Sequence, residues 1–359
     1  MKKVIITGGA GFLGAKLSET LNNSGYEVLA IGRKNNNDIN EFRSEQLKNV
    51  IYKSCDLSKD SLDEILESID WKNKKIDALF HIAWSGKDGL SDLNVQKQFE
   101  NLSITLNLFE IAEKLNIEKF LFTGTMEEFF AEKYVGLDFK KDSIYNRHVI
   151  YALSKLWTRK ALKKRAFYSK TDVIFLTNSH IIGPGDDKDS FLQVSLSKMI
   201  HNQPIVMSSG VQLFDVIDVV DCADTYKAVL ENGKRLQNYI AGSGNPQMLK
   251  NYILEMNNLF SNYKGLTIDS NNSADVVLSK ENFDTSSLVS DTNFTPNISF
   301  RESIIRLKEY ITKYTLGINV TNWFITSDFT EPTSVIIAPG FTKLEIATLF
   351  LLDTDSSFH

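Results

Sequence analysis

Two rhythms of apolar residues alternate along the first half of the chain. Short unbroken runs rich in β-favouring residues fall at Val4-Ile5-Ile6, Glu27 to Ile31, Val50 to Cys55, Ala78 to Ala83, Lys119 to Thr123 and Asp172 to Leu176. Between them, over about 15–21, 60–70, 96–115 and 148–166, apolar positions recur at helical spacing. The runs predict strands buried on both faces, and the spaced stretches predict amphipathic helices. Their regular alternation predicts an α/β fold of the Rossmann type, a doubly wound parallel sheet with right-handed crossovers. Residues 35–48, opening on Asn35-Asn36-Asn37-Asp38, predict a polar surface connection.

Past Gly183-Pro184-Gly185-Asp186 the pattern loosens into helical pieces at 190–201, 219–231, 247–260 and 301–313, with short strands at 204–207 and 238–241. This predicts a first domain over 1–182 and a smaller C-terminal substrate lobe over 183–314, with segments that interleave. The glycine–proline break is too short for a flexible linker, so the two lobes form one compact unit. An extension of unassigned role, 315–359, carries two strand-like runs, Asn319 to Thr326 and Thr333 to Ala338.

The first strand runs straight into Thr7-Gly8-Gly9-Ala10-Gly11-Phe12-Leu13-Gly14 and then into a helix. Glycine at 8 lets the chain reverse tightly, at 11 it admits a pyrophosphate against the backbone, and at 14 it lets helix pack close on strand. The N–H groups around Phe12 and Leu13 then face the anion at the positive end of the helix. The spacing predicts a dinucleotide cofactor. The second strand ends in Gly32-Arg33-Lys34, with no acid to meet a free ribose hydroxyl and two bases that suit a 2′-phosphate. The preferred cofactor is therefore NADP(H), with NAD(H) as the alternative; the bland reading is that Arg33 and Lys34 only open a polar loop. Asp56 and Leu57, at the end of the third strand, are placed to lie over the adenine, and Ala83 is small enough to let the cofactor cross the sheet.

Composition removes several classes. A net charge of −5 with no long basic stripe excludes nucleic acid as a partner. Two cysteines, Cys55 and Cys222, with no CxxC pair, give neither a disulfide framework nor a zinc site, so no metal is predicted. The first strand begins at about residue 3, leaving no room for a signal peptide, and the late apolar run Ile346 to Leu352 is far short of the roughly 20 residues that cross a bilayer. The expectation is a cytoplasmic protein with no membrane partner.

Tyr151-Ala152-Leu153-Ser154-Lys155 puts a phenol and an ammonium four apart, on one helix face. A cation beside a tyrosine favours the phenolate and lowers its ordinary value near 10, which predicts a proton-transfer group. Thr125, at the C-terminal end of a parallel strand, is placed to share the substrate oxygen; its other reading is a turn hydroxyl.

Together with Asp56-Leu57, His81-Ile82-Ala83-Trp84, Asn101 with Thr105 and Asn107, Phe122 to Thr125 and Gly183 to Gly185, these residues resemble the extended short-chain dehydrogenase/reductase family. Within it the chain is similar to nucleotide-sugar epimerases, dehydratases and 4-ketoreductases over about residues 1–313. The resemblance implies Thr125, Tyr151 and Lys155 as a catalytic triad, with Lys155 also on the nicotinamide ribose and Tyr151, Ala83 and Trp84 among the cofactor contacts. It implies a nucleotide-sugar substrate and a homodimer through helices at about 92–115 and 148–170.

Departures narrow the activity. Family dehydratases carry an acid and then a glutamate after the triad hydroxyl, where this chain has Met126 and Glu127. His81 to Trp84, the Thr-Met-Glu-Glu segment and Ala241 to Lys250 look most similar to reductases of the CDP-abequose synthase type. The expectation is NADPH-dependent reduction of a 4-keto, 6-deoxy nucleotide sugar, with an epimerase, a 4,6-dehydratase and a non-catalytic cofactor sensor as rivals. Trp84, Glu127 and Glu128 are predicted to line the sugar pocket. His180 stands where relatives have a sugar-contacting asparagine, or is a histidine packed in a turn. Thr177 stands where an arginine is common.

Overall fold

Residues with nothing polar to offer solvent sort by parity along each strand. Val4, Ile6, Val28 and Phe80 point to one side of the sheet, while Ile5, Leu29, Leu79 and Phe120 point to the other, and all are buried. The computed structural model describes residues 1–86, 94–136, 149–186, 190–260, 263–269 and 277–314. These all fall within one compact unit. The first six strands are β1 (Lys3–Thr7), β2 (Glu27–Gly32), β3 (Ile51–Ser54), β4 (Ala78–His81), β5 (Lys119–Thr125) and β6 (Asp172–Asn178). Short strands β7 (His180–Ile182), β8 (Ile205–Ser208), β9 (Leu213–Phe214) and β10 (Val216–Asp218) follow, then β11 (Asn238–Ala241). The main sheet has seven strands in the order β11-β6-β5-β4-β1-β2-β3, every pair parallel. The order reverses between β1 and β4, which opens the crevice where such sheets take ligands.

The helices are α1 (Phe12–Asn23), α2 (Glu41–Gln46), α3 (Leu62–Ser68), α4 (Val95–Lys114), α5 (Glu127–Gly136), α6 (Val149–Ala166), α7 (Phe191–Ile200), α8 (Val219–Asn232), α9 (Leu249–Leu259), α10 (Ser286–Thr292) and α11 (Phe300–Tyr314). Leu13, Leu17 and Leu21 of α1 and Tyr226 and Val229 of α8 cover one face of the sheet. Leu66 of α3, Phe109 of α4 and Leu162 of α6 cover the other. A separate core joins Leu196, Ile253, Met256 and Leu307 from α7, α9 and α11.

Two expectations change. The run at 238–241, read with the looser half, is the edge strand of the main sheet, paired to β6 from Asn238↔Phe175 to Ala241↔Asn178. Four residues are too few for periodicity to say which sheet they join. The stretch 35–48 is not only a surface connection: it contains α2, whose Arg43 is buried. The strand-like runs of 315–359 lie outside the described residues.

Candidate active site

The glycine turn has the shape its spacing implies. Gly8 sits at φ +74°, a conformation that favours glycine, and a Cβ there would lie 3.0 Å from the Ala83 amide nitrogen. A Cβ on Gly14 would overlap the Gly8 carbonyl oxygen and reach 2.8 Å from its carbon. Gly11 is the N-cap of α1; no side chain caps that end and no acid occupies its first turn. Phe12 and Leu13 are buried, so their side chains anchor the turn while its backbone faces the crevice. The turn fits a dinucleotide pyrophosphate, because its glycines allow a close backbone turn that no other residue could make and the α1 N-terminus it leads into has no side-chain cap.

At the β2 end of the crevice, Arg33 and Lys34 are exposed just past the strand. The carbonyl of Lys34 accepts from the Tyr52 hydroxyl at 2.7 Å. Asp56 closes its own turn, accepting from the Ser58 amide at 3.1 Å and hydroxyl at 2.7 Å, which holds its carboxyl below the usual range. Leu57 packs on the core beneath β3. The residue missed at this end is Arg43. Its guanidinium donates to the Ala10 carbonyl in the glycine turn and to the Gly185 carbonyl, both at 3.1 Å. No local pattern marks it, since both acceptors are backbone atoms distant in sequence.

At the other end of the crevice, the Thr125 hydroxyl lies beside the Tyr151 phenol and accepts from the Glu127 amide at 3.3 Å. Thr125 is the last residue of β5, and Tyr151 lies in the first turn of α6. Lys155 is buried; its ammonium donates to the Thr123 carbonyl at 2.9 Å and stands 3.8 Å from the centre of the Trp84 ring. The Trp84 indole also meets Tyr151 edge-on at 6.4 Å and donates to Gln98 Oε1 at 2.9 Å. The expected acidification of the phenol by Lys155 is not met. Burial pushes the Tyr151 phenol up from its ordinary value, the Glu127 carboxylate pushes it further, and the Thr125 hydroxyl opposes both. A spacing of four brings two side chains to one face without fixing which atoms meet.

Glu128 departs from its predicted place in the sugar pocket. Its carboxylate is sealed by Arg159 and accepts from the Thr125 amide at 2.9 Å. Glu127 is half-buried beside the phenol, and Met126 is turned into an apolar cluster with Leu278 and Phe283. His180 lies on β7 with its ring 5.1 Å from Phe214.

His81 underlies the crevice. Its Nε2 meets the Thr105 hydroxyl at 2.9 Å and its Nδ1 the Thr7 hydroxyl at 3.0 Å. Thr105 donates its proton to the Asn101 carbonyl at 2.7 Å, so Nε2 carries the hydrogen and Nδ1 accepts from Thr7. The Thr7 oxygen in turn accepts from the Ile82 and Ala83 amides, each at 3.2 Å, fixing the segment against which Gly8 packs. Burial, and then Lys155, pushes this imidazole from 6.5 down to about 3. Across that window the unfolded chain binds a proton that the folded chain refuses, so stability present above pH 6.5 drains away toward pH 3. In chemical denaturation, His81→Asn should flatten this limb by about 1.4 kcal/mol per pH unit relative to the parent.

Among the described residues, no cluster of three or more His, Cys, Asp or Glu is set to hold a metal, and no helix is long and apolar enough to cross a membrane. The model of the NAD dependent epimerase/dehydratase family matches residues 4–242. CDP-abequose synthase of Salmonella typhimurium is 29% identical over 263 residues, covering 71% of this chain and 80% of that protein. Among solved structures, UDP-glucose 4-epimerase from Bifidobacterium longum, in complex with NAD+ and UDP, superposes with a TM-score of 0.70 at 19% identity, covering 88% of this chain and 100% of the other. The dTDP-glucose 4,6-dehydratase from Bacillus anthracis, in complex with NAD, gives 0.68 at 15%, covering 88% and 97%. An epimerase and a dehydratase superpose almost equally well, so these two likenesses speak for the fold alone. With the glycine cradle, the Thr125–Tyr151 pair and a family match over two thirds of its length, the chain belongs to the NAD dependent epimerase/dehydratase family, as an NAD(P)-dependent enzyme of the extended short-chain dehydrogenase/reductase type.

Proposed function

We propose that the protein reduces the 4-keto group of a nucleotide-linked 6-deoxy sugar with NADPH. The observation that carries this reading is geometric: Thr125 at the end of β5 and Tyr151 at the start of α6 come together where the sheet crevice opens, so a carbonyl oxygen there meets a hydroxyl and a phenol that can donate to it. When bound, the cofactor supplies the hydride. The chain does the rest. Gly8, Gly11 and Gly14, with the N-terminus of α1, bind the pyrophosphate, and Arg33 and Lys34 meet the 2′-phosphate. Thr125 and Tyr151 hold the carbonyl oxygen, and Tyr151 gives it a proton. Lys155 fixes the ribose; its ammonium keeps the Thr123 carbonyl as an anchor. Trp84, Glu127 and His180 contact the sugar.

Dehydration is disfavoured because Met126, in the position of the dehydratase acid, has no proton to give and is turned into an apolar cluster. The likeness to CDP-abequose synthase supports a nucleotide sugar as substrate. The same reading includes a homodimer through the outer faces of α4 and α6, supported by Trp157, 53% exposed and 5.4 Å from Phe99.

The test is to supply a CDP- or dTDP-linked 4-keto-6-deoxy sugar with stoichiometric NADPH and follow its absorbance. One NADPH should disappear per sugar reduced, and faster than NADH does. Conversion of a nucleotide sugar to its epimer with no net loss of NADPH would replace this reading by the epimerase one.

A further inference from the structure

The stripe that begins with Tyr151 and Lys155 does not stop there. One turn on, α6 carries Arg159, and its guanidinium makes a fork with Glu128: Nε to Oε2 and, at 3.0 Å, Nη2 to Oε1. The remaining donors are also used. Nη1 reaches Asn238 Oδ1 at 2.6 Å and Nη2 the Thr177 hydroxyl at 2.9 Å. A guanidinium thus comes from α6 to Thr177, where relatives commonly carry one on the strand itself. The faces of Phe175 and Phe122 pack at 5.2 and 5.9 Å from the guanidinium carbon. Both charged side chains are nearly sealed, at 12% and 4% exposure. Gly124 leaves them room, because a Cβ there would collide with the guanidinium and the carboxylate.

One acceptor of this group reaches the backbone of Thr125. Glu128 Oε1, held by Arg159, takes the amide hydrogen of Thr125 at 2.9 Å. We propose that Glu128 and Arg159 are positioning residues, a buried ion pair that fixes the Thr125 backbone so that its hydroxyl meets the Tyr151 phenol. The pair joins the start of α5, the middle of α6, β6 and β11, so it sets the register of the helix bearing Tyr151 against the strand bearing Thr125. A carboxylate that is already neutralised and hydrogen-bonded also adds less repulsion at the neighbouring phenol than a bare one would. This inference rests on the reductase reading for its catalytic consequence, though not for its geometry.

The test is a double-mutant cycle in the full chain with T125V as the second arm. E128Q keeps the shape but weakens the fork; it should lower kcat about tenfold or more, with KM for NADPH within about twofold. In T125V/E128Q the second change should cost almost nothing further, because Glu128 acts through Thr125. Additive losses in an active enzyme would overturn the proposal. The same cycle is read without substrate in the NMR shift of labelled Tyr151 Cζ, assigned with Y151F. There E128Q and T125V should move the resonance in the same direction and the double variant no further than T125V alone. An unmoved resonance in E128Q overturns the proposal even if the parent proves inactive on keto sugars, whereas a moved one with an inactive parent sinks only the reductase reading. If E128Q fails to fold, R159Q takes its place in both cycles.

Discussion

Replacing Tyr151 by phenylalanine is expected to lower kcat about a thousandfold while leaving the fold and the affinity for NADPH nearly unchanged. The substitution removes one oxygen from a ring that stays packed edge-on against Trp84, and with it the phenol proton beside Thr125. Positioned general acids contribute roughly 10²–10⁴ to rate, which sets the size of the loss. Because burial and Glu127 hold the phenol above its ordinary value, the parent should keep its proton, and its kcat, through the whole neutral and mildly alkaline range. Steady-state kinetics beside a fluorescence titration of NADPH checks both halves. Parent-like turnover by Y151F would mean that another group donates the proton.

Gly14→Ala is the second large effect, and it acts on binding and stability together. The new Cβ would meet backbone on three sides: the Gly8 carbonyl oxygen, its carbon at 2.8 Å and the Gly9 Cα at 3.0 Å. No side chain can rotate away, so α1 must retreat from β1 and the Gly8–Gly11 turn must open. Overpacking of this kind costs on the order of 1–3 kcal/mol. The shifted turn also no longer presents its amides to the pyrophosphate, so NADPH affinity should fall by at least about tenfold, or roughly 1.4 kcal/mol. Thermal unfolding and the same titration give the two numbers. Gly25→Ala is the matched control: it stands at φ +84° with nothing near its Cβ direction, so it carries backbone strain without the collision.

These features were legible from the sequence because they are local. A glycine spacing, a buried run and a four-residue step each carry their meaning within a dozen residues, and β1, the glycine turn, α1 and α6 followed from them. What escaped depends on partners far along the chain. Arg159 continues the step of four from Tyr151 and Lys155, and Gly124 leaves a space, but nothing in either says that they meet over Glu128. The same limit misassigned Glu128 to the sugar pocket, since an acid after the triad threonine reads as open until its partner is known. It misassigned the effect of Lys155 as well, whose ammonium spends a hydrogen bond on Thr123 and a face on Trp84. The edge strand β11 is one of the interleaving segments, and four residues do not say which sheet they will join.

Arg43 bears on how the charged loop after β2 can be exchanged. It rivets Ala10 to Gly185, while its neighbour Phe42 lies edge-on to Tyr310 at 4.9 Å and Tyr314 at 5.8 Å. A cassette exchange that carried everything between β2 and β3 from a relative would draw that rivet along with Arg33 and Lys34. The splice therefore belongs before Asn40, the cap of α2, so that the charge beyond β2 is rewritten and the fastening of the turn is inherited intact.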